Sequence, residues 1–285
     1  PVRRAFEKLW LGRQRLSAHD VKAVLKLLHD RGFSARAFAD DTMIGAHLLN
    51  PSRTFAQIED AAQEFLELSA GDDVASHADV TMRLTEKERA ELESRGQLPL
   101  YENVEVPLAP ILAKMEWTGV AIDPAELKRL AKEIDAAISR LQREIYDLAG
   151  DEFNIGSPQQ LGNILFEKLC LPQGKKTKTG WATGVEILQG LAREYPICAR
   201  VLEYREVTKL KNTYVDVIPA LTDARDGRLR TIFNQTSTAT GRLSSTNPNL
   251  QNIPVRGELG RRIRRAFVSP DKQSVLLAAD YNQIE

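Results

Sequence analysis

Cysteine is almost missing from this 285-residue sequence, with only Cys170 and Cys198 present. Two thiols cannot staple a disulfide scaffold, and their separation is not that of metal ligands. The four histidines, at 19, 29, 47 and 77, also lack metal-binding spacing and read as structural. No apolar run approaches the ~18 residues a membrane span needs. Residues 1–14 mix Arg, Glu and Lys with apolar positions and hold no signal-peptide core. A cytoplasmic protein, with no membrane partner, is expected. An apolar fraction of 42% and a charged fraction of 27% exclude a disordered or collagen-like chain. The length fits about two domains.

Net charge is zero only because opposite charges are segregated. Residues 57–105 hold 13 acids against 4 bases, a net of −9, whereas residues 170–285 hold 18 bases against 11 acids, a net of +7. Solvated surface charge accounts for such counts taken alone. Together they point to a front part that avoids polyanions and a rear part able to meet one.

The front segment, to about Arg95, reads as short helices. Ser17 is placed to cap a helix carrying Val21, Val24, Leu25 and Leu28, which Gly32 ends. A second spans Thr42 to Leu49 and stops at Pro51. After a loop at Gly71-Asp72-Asp73 a third covers about Asp79 to Ser94. Further on, Asp123 as cap, Pro124 in the first turn and Glu126 closing a capping box start a long amphipathic helix that Gly150 stops. Helix starts recur at Ser157-Pro158, at Thr183-Gly184-Val185-Glu186 and at Pro196, the last running toward Tyr214. Between the first two of these starts lies the acid-free loop Gly174-Lys175-Lys176-Thr177-Lys178-Thr179-Gly180. Its spacing fits a solvated turn and a phosphate-gripping tip equally.

The rear segment changes character. Arg228 to Gln235 reads as a strand. A run rich in Ser and Thr follows, Thr236 to Thr246 around Gly241-Arg242, and then Asn247, Asn249, Gln251 and Asn252 crowd between Pro248 and Pro254. Apolar residues and prolines interleave with these amides, unlike a flexible linker. Hydroxyls, amides and guanidinium in one loop suit phosphate and sugar contacts, and a donor such as Arg242 can test minor-groove acceptors without reading sequence. Residues 256–265 hold five Arg and one Glu. Ser274 to Ala279 reads as a buried strand ending on Asp280, and a strand end is a suitable position for a carboxylate that meets a hard metal ion, although such an Asp serves more often as a cap. A strand left uncovered six residues before the end implies a fragment.

Three motifs then carry a specific resemblance. Thr238-Ala239-Thr240-Gly241-Arg242-Leu243-Ser244-Ser245, Asn247-Pro248-Asn249-Leu250-Gln251-Asn252-Ile253-Pro254 and Asp280-Tyr281-Asn282-Gln283-Ile284-Glu285 resemble, in order, the palm motifs of family A DNA polymerases. Met115-Glu116-Trp117-Thr118-Gly119-Val120 resembles the start of the polymerase domain, and Tyr204 to Lys211 the last thumb helix. Asn282 stands where the family usually has Ser. The resemblance implies an α+β fold: a remnant 3′–5′ exonuclease-like domain (1–95), the start of the palm (96–122), a helical thumb (123–218), and the first part of an antiparallel-sheet palm (219–285), truncated within its metal-binding motif. It implies a DNA-directed DNA polymerase, a nucleotidyltransferase in replication and repair, working with two Mg2+ ions. Primer–template DNA, deoxynucleoside triphosphates and a remaining C-terminal polymerase segment would be its partners, and the nucleoid its setting.

By the same resemblance Asp280 would bind metal through its carboxylate and Tyr281 through its carbonyl. Glu285 would exclude a ribose 2′-hydroxyl, and Gln283 would belong to the catalytic set. Arg242 would approach the primer-terminal minor groove. Asn249, Gln251, Asn252 and Arg256 would line the duplex, and Lys175, Lys176, Lys178, Arg205 and Lys209 would hold its backbone from the thumb. The front segment resembles the family's exonuclease domain around Asp41-Thr42-Met43 and Leu48-Leu49-Asn50-Pro51, but Val24 and His77 stand where metal-binding acids are expected, and Asp73 where a Tyr is. A proofreading nuclease is therefore disfavoured. The remaining alternative is a non-catalytic duplex-binding protein, against which Asp280 and Glu285 argue. The fragment alone is expected to be inactive.

Overall fold

The computed structural model describes residues 12, 15–33, 37–172, 176–177, 180–255, 257–271 and 273–282. In chain order these form β1 (Ser17–Ala18), α1 (Val21–His29), β2 (Asp40–Asp41), α2 (Thr42–Leu49), α3 (Ile58–Leu66), α4 (Val74–Ser94) and α5 (Val106–Thr118). Then follow β3 (Val120–Ile122), α6 (Pro124–Ala149), α7 (Pro158–Gly162), β4 (Lys176–Thr177), β5 (Gly180–Trp181), α8 (Val185–Leu191), α9 (Pro196–Leu210) and α10 (Val217–Leu221). The last are β6 (Thr222–Asp223), β7 (Arg228–Leu229), β8 (Ile232–Asn234), β9 (Ser244–Thr246), α11 (Glu258–Arg265) and β10 (Phe267–Val268). They fall into two compact units, residues 1–119 with 230–252, and residues 120–229 with 253–285. The chain passes between these units at 119/120, 229/230 and 252/253.

In the first unit α1 and α2 share one acid. Asp41 caps α2, accepting from the Met43 and Ile44 amides, and also accepts from Val21 at 2.7 Å and Asp20 at 3.2 Å at the start of α1. Its carboxylate thus answers the positive ends of two helices. Burial nevertheless pushes its pKa up to about 7 against these bonds. The helix expected from Ser17 begins later: Asp20 is its cap, while Ser17 pairs with Asp40 in a parallel bridge. The third helix starts five residues early because Asp73 caps it, accepting from Ala75 and Ser76. The core of this unit joins Val21, Leu25, Ile44, Leu92, Tyr101 and Ala109.

Where α4 crosses α2, Glu88 is buried with no partner for either carboxylate oxygen among the described residues. It occupies the space over Gly45, where a Cβ would lie 2.2 Å from Glu88 Oε2. Burial, with Asp41, Asp40 and Glu91 nearby, raises the Glu88 pKa well above its ordinary value. An acid that binds its proton more tightly when folded favours the fold below its unfolded pKa, and that stability is lost as pH rises toward the folded value. Glu88→Gln should therefore be more stable than the parent at pH 8, by ~1–3 kcal/mol if one buried unpaired charge is at stake. The gap should narrow at pH 5 in denaturant titrations, and a gap that does not change with pH would mean that ionisation of Glu88 is not its cause.

The second unit holds a helical part and a small sheet. Asp123 caps α6 as expected, accepting from Ala125 and Glu126, and Gly150 ends the helix in the left-handed region. The expected capping box is not made. The Asp123 N–H donates to the Ala266 carbonyl at 2.8 Å, and Glu126 faces Arg129 and Arg262. α6 packs along α9, and Ile145, Leu161, Leu165, Phe166, Leu188, Cys198 and Val201 form their core. Cys198, inside it, is pushed up to about 11 by burial. Ser157 caps α7 as expected, but Gly184 rather than Thr183 caps α8. The sheet is antiparallel in the order β10-β3-β7-β6.

Two strand expectations fail for physical reasons. Residues 228–235 form not one strand but two, β7 and β8, in different sheets. At the break Arg230 Nε donates to the Trp117 carbonyl, and the Thr231 hydroxyl bonds elsewhere. Residues 274–279 form no strand, and Val275, Leu276 and Leu277 are exposed. A strand exists through its ladder, and no described residue pairs with this segment. Asp280 accordingly ends no strand.

Candidate nucleic-acid interface

The polar motif run folds as a hairpin on a buried hydroxyl pair. β8 and β9 pair antiparallel, with Phe233 opposite Ser245. Beneath them Ser245 is fully buried, and its Oγ lies 2.7 Å from Thr231 Oγ1 and accepts the Leu250 N–H at 3.0 Å. Thr231 Oγ1 also reaches the Thr246 and Pro248 carbonyls, each at 2.9 Å. One side-chain cluster therefore ties the strand, the hairpin return and the Asn/Gln-rich turn together. Such a network rigidifies because an unmade buried hydrogen bond is costly. Its outer side carries Arg242, Asn249, Gln251 and Asn252, all exposed. Local bonds order this side: Thr238 Oγ1 donates to the Arg242 carbonyl at 2.6 Å, Gln251 Nε2 to the Leu243 carbonyl at 2.8 Å, and the Gln251 N–H to Asn249 Oδ1 at 3.0 Å.

Four further contacts seat this hairpin against the front helices of the same unit. His47 Nε2 lies 3.2 Å from the Thr238 carbonyl, and Gln235 Nε2 donates to the Glu105 carbonyl at 3.0 Å. Glu116 Oε1 accepts the Phe233 N–H at 2.9 Å, and Lys22 Nζ donates to the Phe233 carbonyl at 2.7 Å. Thr231, Glu116 and Lys22 were not singled out as site residues in the sequence. Glu116 lies within the 115–120 motif, but nothing local marks Lys22 or Thr231.

In the second unit, Lys176 lies on the β4–β5 hairpin with its ammonium 4.7 Å from the Trp181 ring centroid. Arg205 is half-buried and braces its own unit, donating to the Thr183 carbonyl at 2.5 Å and to Thr183 Oγ1 at 3.1 Å. Burial lowers its pKa from the usual guanidinium value. Lys209, one turn further along α9, is exposed. Asp280 and Tyr281 are exposed in the unpaired segment after β10. Lys175, Lys178, Arg256, Gln283 and Glu285 lie outside the described residues.

Val24 and His77 line one cleft of about 960 Å3 in the first unit, together with Asp20, Asp40 and Glu59. The acids there are engaged: Asp40 accepts from Arg89 at 2.7 Å and Ser17 at 3.2 Å, and Glu59 lies 3.0 Å from His77 Nε2. Among the described residues no three His, Cys, Asp or Glu side chains are grouped to hold a metal. The histidines have structural partners, as expected: His19 contacts Thr42 and the Phe55 carbonyl, and His29 stacks on Trp117. Burial lowers the His19 pKa.

This is a mixed helix–sheet chain that presents exposed guanidinium and amide groups on a hairpin and the turn that follows it, groups of the kind that contact phosphate and sugar. Residues 124–285 match the family model for DNA polymerase family A, and the chain belongs to that family. It is 40% identical over 287 residues to DNA polymerase I of Bacillus subtilis (strain 168), which covers 93% of this chain and 33% of that protein. It is 45% identical over 301 residues to the thermostable DNA polymerase I of Thermus thermophilus, covering 99% of this chain and 35% of the relative. The chain thus spans about a third of the length of these relatives. Among solved structures it resembles the POL domain of Pol1 from M. smegmatis in complex with DNA primer-template and dNTP. The TM-score is 0.87 at 37% identity, covering 94% of this chain and 48% of that one. Among the described residues no helix is long and apolar enough to cross a membrane.

Proposed function

We propose that this chain supplies the primer–template grip and the first metal-binding carboxylate of a DNA-directed DNA polymerase. The observation that carries the reading is the motif hairpin. Its exposed Arg242, Asn249, Gln251 and Asn252 are held by the buried Thr231–Ser245 pair. In the proposed division, residues 1–95 are a remnant exonuclease-like domain, 96–122 begin the palm, 123–218 are the thumb and 219–285 continue the palm. The solved neighbour was captured with primer-template and dNTP, and the same partners are proposed here.

Asp280 and Tyr281 fit Mg2+, because a carboxylate and a backbone carbonyl are hard oxygen donors and Asp280 is exposed. When bound, two such ions neutralise charge on the transferring phosphate. The chain's own residues do the rest. Arg242 would donate to minor-groove acceptors at the primer end, where correct pairs of either orientation offer equivalent acceptors. Asn249, Gln251, Asn252 and Arg256 would hold template and duplex in register. Gln283 and Glu285 would shape the nucleotide site, Glu285 by crowding a 2′-hydroxyl. Lys175, Lys176, Lys178, Arg205 and Lys209 would neutralise backbone phosphates.

Binding tests the reading directly. The chain titrated with primer–template duplex should show salt-dependent affinity. Changing Lys175, Lys176 and Lys178 to Ala should weaken binding equally across sequences and reduce the salt slope by up to ~0.9 per lost phosphate contact. An unchanged slope would make the loop a solvated turn.

Proofreading should be absent. Val24 and His77 supply no carboxylate to the front cleft, and Asp40 there is neutralised by Arg89. A 3′-mismatched primer incubated with Mg2+ and no nucleotide should stay intact by gel. Metal-dependent trimming, abolished by Asp40→Asn, would overturn this.

A further inference from the structure

The first unit contains an ion cluster built around a buried acid. Glu116, on α5, is 2% exposed and pairs with two lysines of α1: Lys22 Nζ at 2.6 Å from Oε1 and Lys26 Nζ at 2.9 Å from Oε2. A buried carboxylate flanked by two ammonium groups is costly to assemble, so what else it touches is informative. Glu116 and Lys22 both end on one residue of β8: Glu116 Oε1 accepts the Phe233 N–H and Lys22 Nζ donates to the Phe233 carbonyl.

The ladder explains the geometry. In an antiparallel pair, the N–H and C=O of one residue point the same way, and alternate residues point to opposite edges. Ile232 and Asn234, opposite Thr246 and Ser244, face β9, while Phe233 presents its groups on the outer edge. No strand lies there among the described residues. The carboxylate takes the place of a neighbouring strand's carbonyl, and the ammonium takes the place of its N–H. Both bonds are charge-assisted, stronger than the ladder bonds they imitate.

We infer that Glu116 and Lys22 form a side-chain substitute for a third strand that sets the position of the β8–β9 hairpin, making them positioning residues for the primer–template grip. The loop they orient, residues 235–243, carries Arg242 nine residues beyond the clamped Phe233, and the hairpin's return leads to Asn249, Gln251 and Asn252. The front helices thereby take part in the grip, because α1 supplies Lys22. This inference rests on the proposed DNA grip.

The test compares Lys22→Met, Lys22→Arg and Glu116→Gln with the unaltered chain, by duplex affinity and by amide exchange across 232–246. Lys22→Met should speed exchange within the hairpin while α6 and α9 stay protected. It should weaken primer–template binding about tenfold, the loss expected for one charge-assisted bond. Lys22→Arg, keeping charge and donors, should restore most of the affinity, which a mere change of net charge or volume would not distinguish. Glu116→Gln should resemble Lys22→Met, and joining the two should add little, because both break one clamp. Unchanged affinity and unchanged hairpin exchange in folded Lys22→Met would overturn the inference. Should the unaltered chain fail to bind duplex, the grip itself is wrong. Hairpin exchange still decides the clamp in that case, upholding it if faster and refuting it if unchanged.

Discussion

Asp280→Asn, made in a full-length polymerase carrying these residues, should lower turnover by about 10²–10³, or ~2.7–4 kcal/mol of barrier, the usual loss for one preorganised electrostatic contact. Asn keeps the shape of Asp but removes its charge and its value as a hard ligand. Primer–template affinity should hold or rise, since a negative charge near phosphates has gone. Folding should not change, because Asp280 is exposed and belongs to no ladder. Single-turnover extension and duplex titration on one preparation separate these effects. Near-normal turnover would remove Asp280 from the metal site, and lost folding would make it a structural cap.

Ser245→Ala should act the opposite way, through stability and grip. Ser245 is fully buried, and its hydroxyl serves Thr231 and the Leu250 N–H. Alanine leaves both groups without that partner, at ~1–3 kcal/mol for each that finds no other. Thr231 retains the Thr246 and Pro248 carbonyls, so the Leu250 amide bears most of the loss. The turn from Asn249 to Asn252 should then loosen, giving a lower Tm and weaker primer–template binding. Catalytic turnover at saturating DNA should change little. Unaltered Tm and affinity would mean that the pair does not organise the turn.

The helices were readable where caps are local chemistry. Asp123, Pro124 and Gly150 delimit α6 as expected, and Thr42 to Leu49 is α2 to the residue. Errors arose where a side chain had a distant partner. Glu126 sits at capping-box spacing but faces Arg262 across more than 130 residues, and the N–H it would have served goes to Ala266. Thr183 precedes a helix like a cap but binds Arg205. Arg228 to Gln235 has strand composition throughout, yet Thr231 is taken out of the ladder by Ser245 and two carbonyls. The segment 274–279 shows the limit from the other side: apolar composition favours burial, and only a paired ladder makes a strand of it.

The site was legible as motifs rather than as geometry. Arg242 lies in the loop of the β8–β9 hairpin, and Asn249, Gln251 and Asn252 in the turn that follows it, all exposed. What holds that hairpin was not visible, because Lys22, Glu116 and Thr231 lie far apart in the chain and carry no local signature. Arg205 was legible as a cation in a matching motif, but its bonds to Thr183, 22 residues away, were not.

The central claim is that these residues grip a primer terminus and present a catalytic carboxylate to it. It is tested most directly by extension of a labelled primer on a template of known sequence, with Mg2+ and single nucleotides, by a full-length protein carrying this chain. The account predicts addition of the complementary nucleotide only, abolished by Asp280→Asn while the complex still forms. Duplex binding without any addition under all conditions, with Asp280→Asn indistinguishable from the parent, would contradict it.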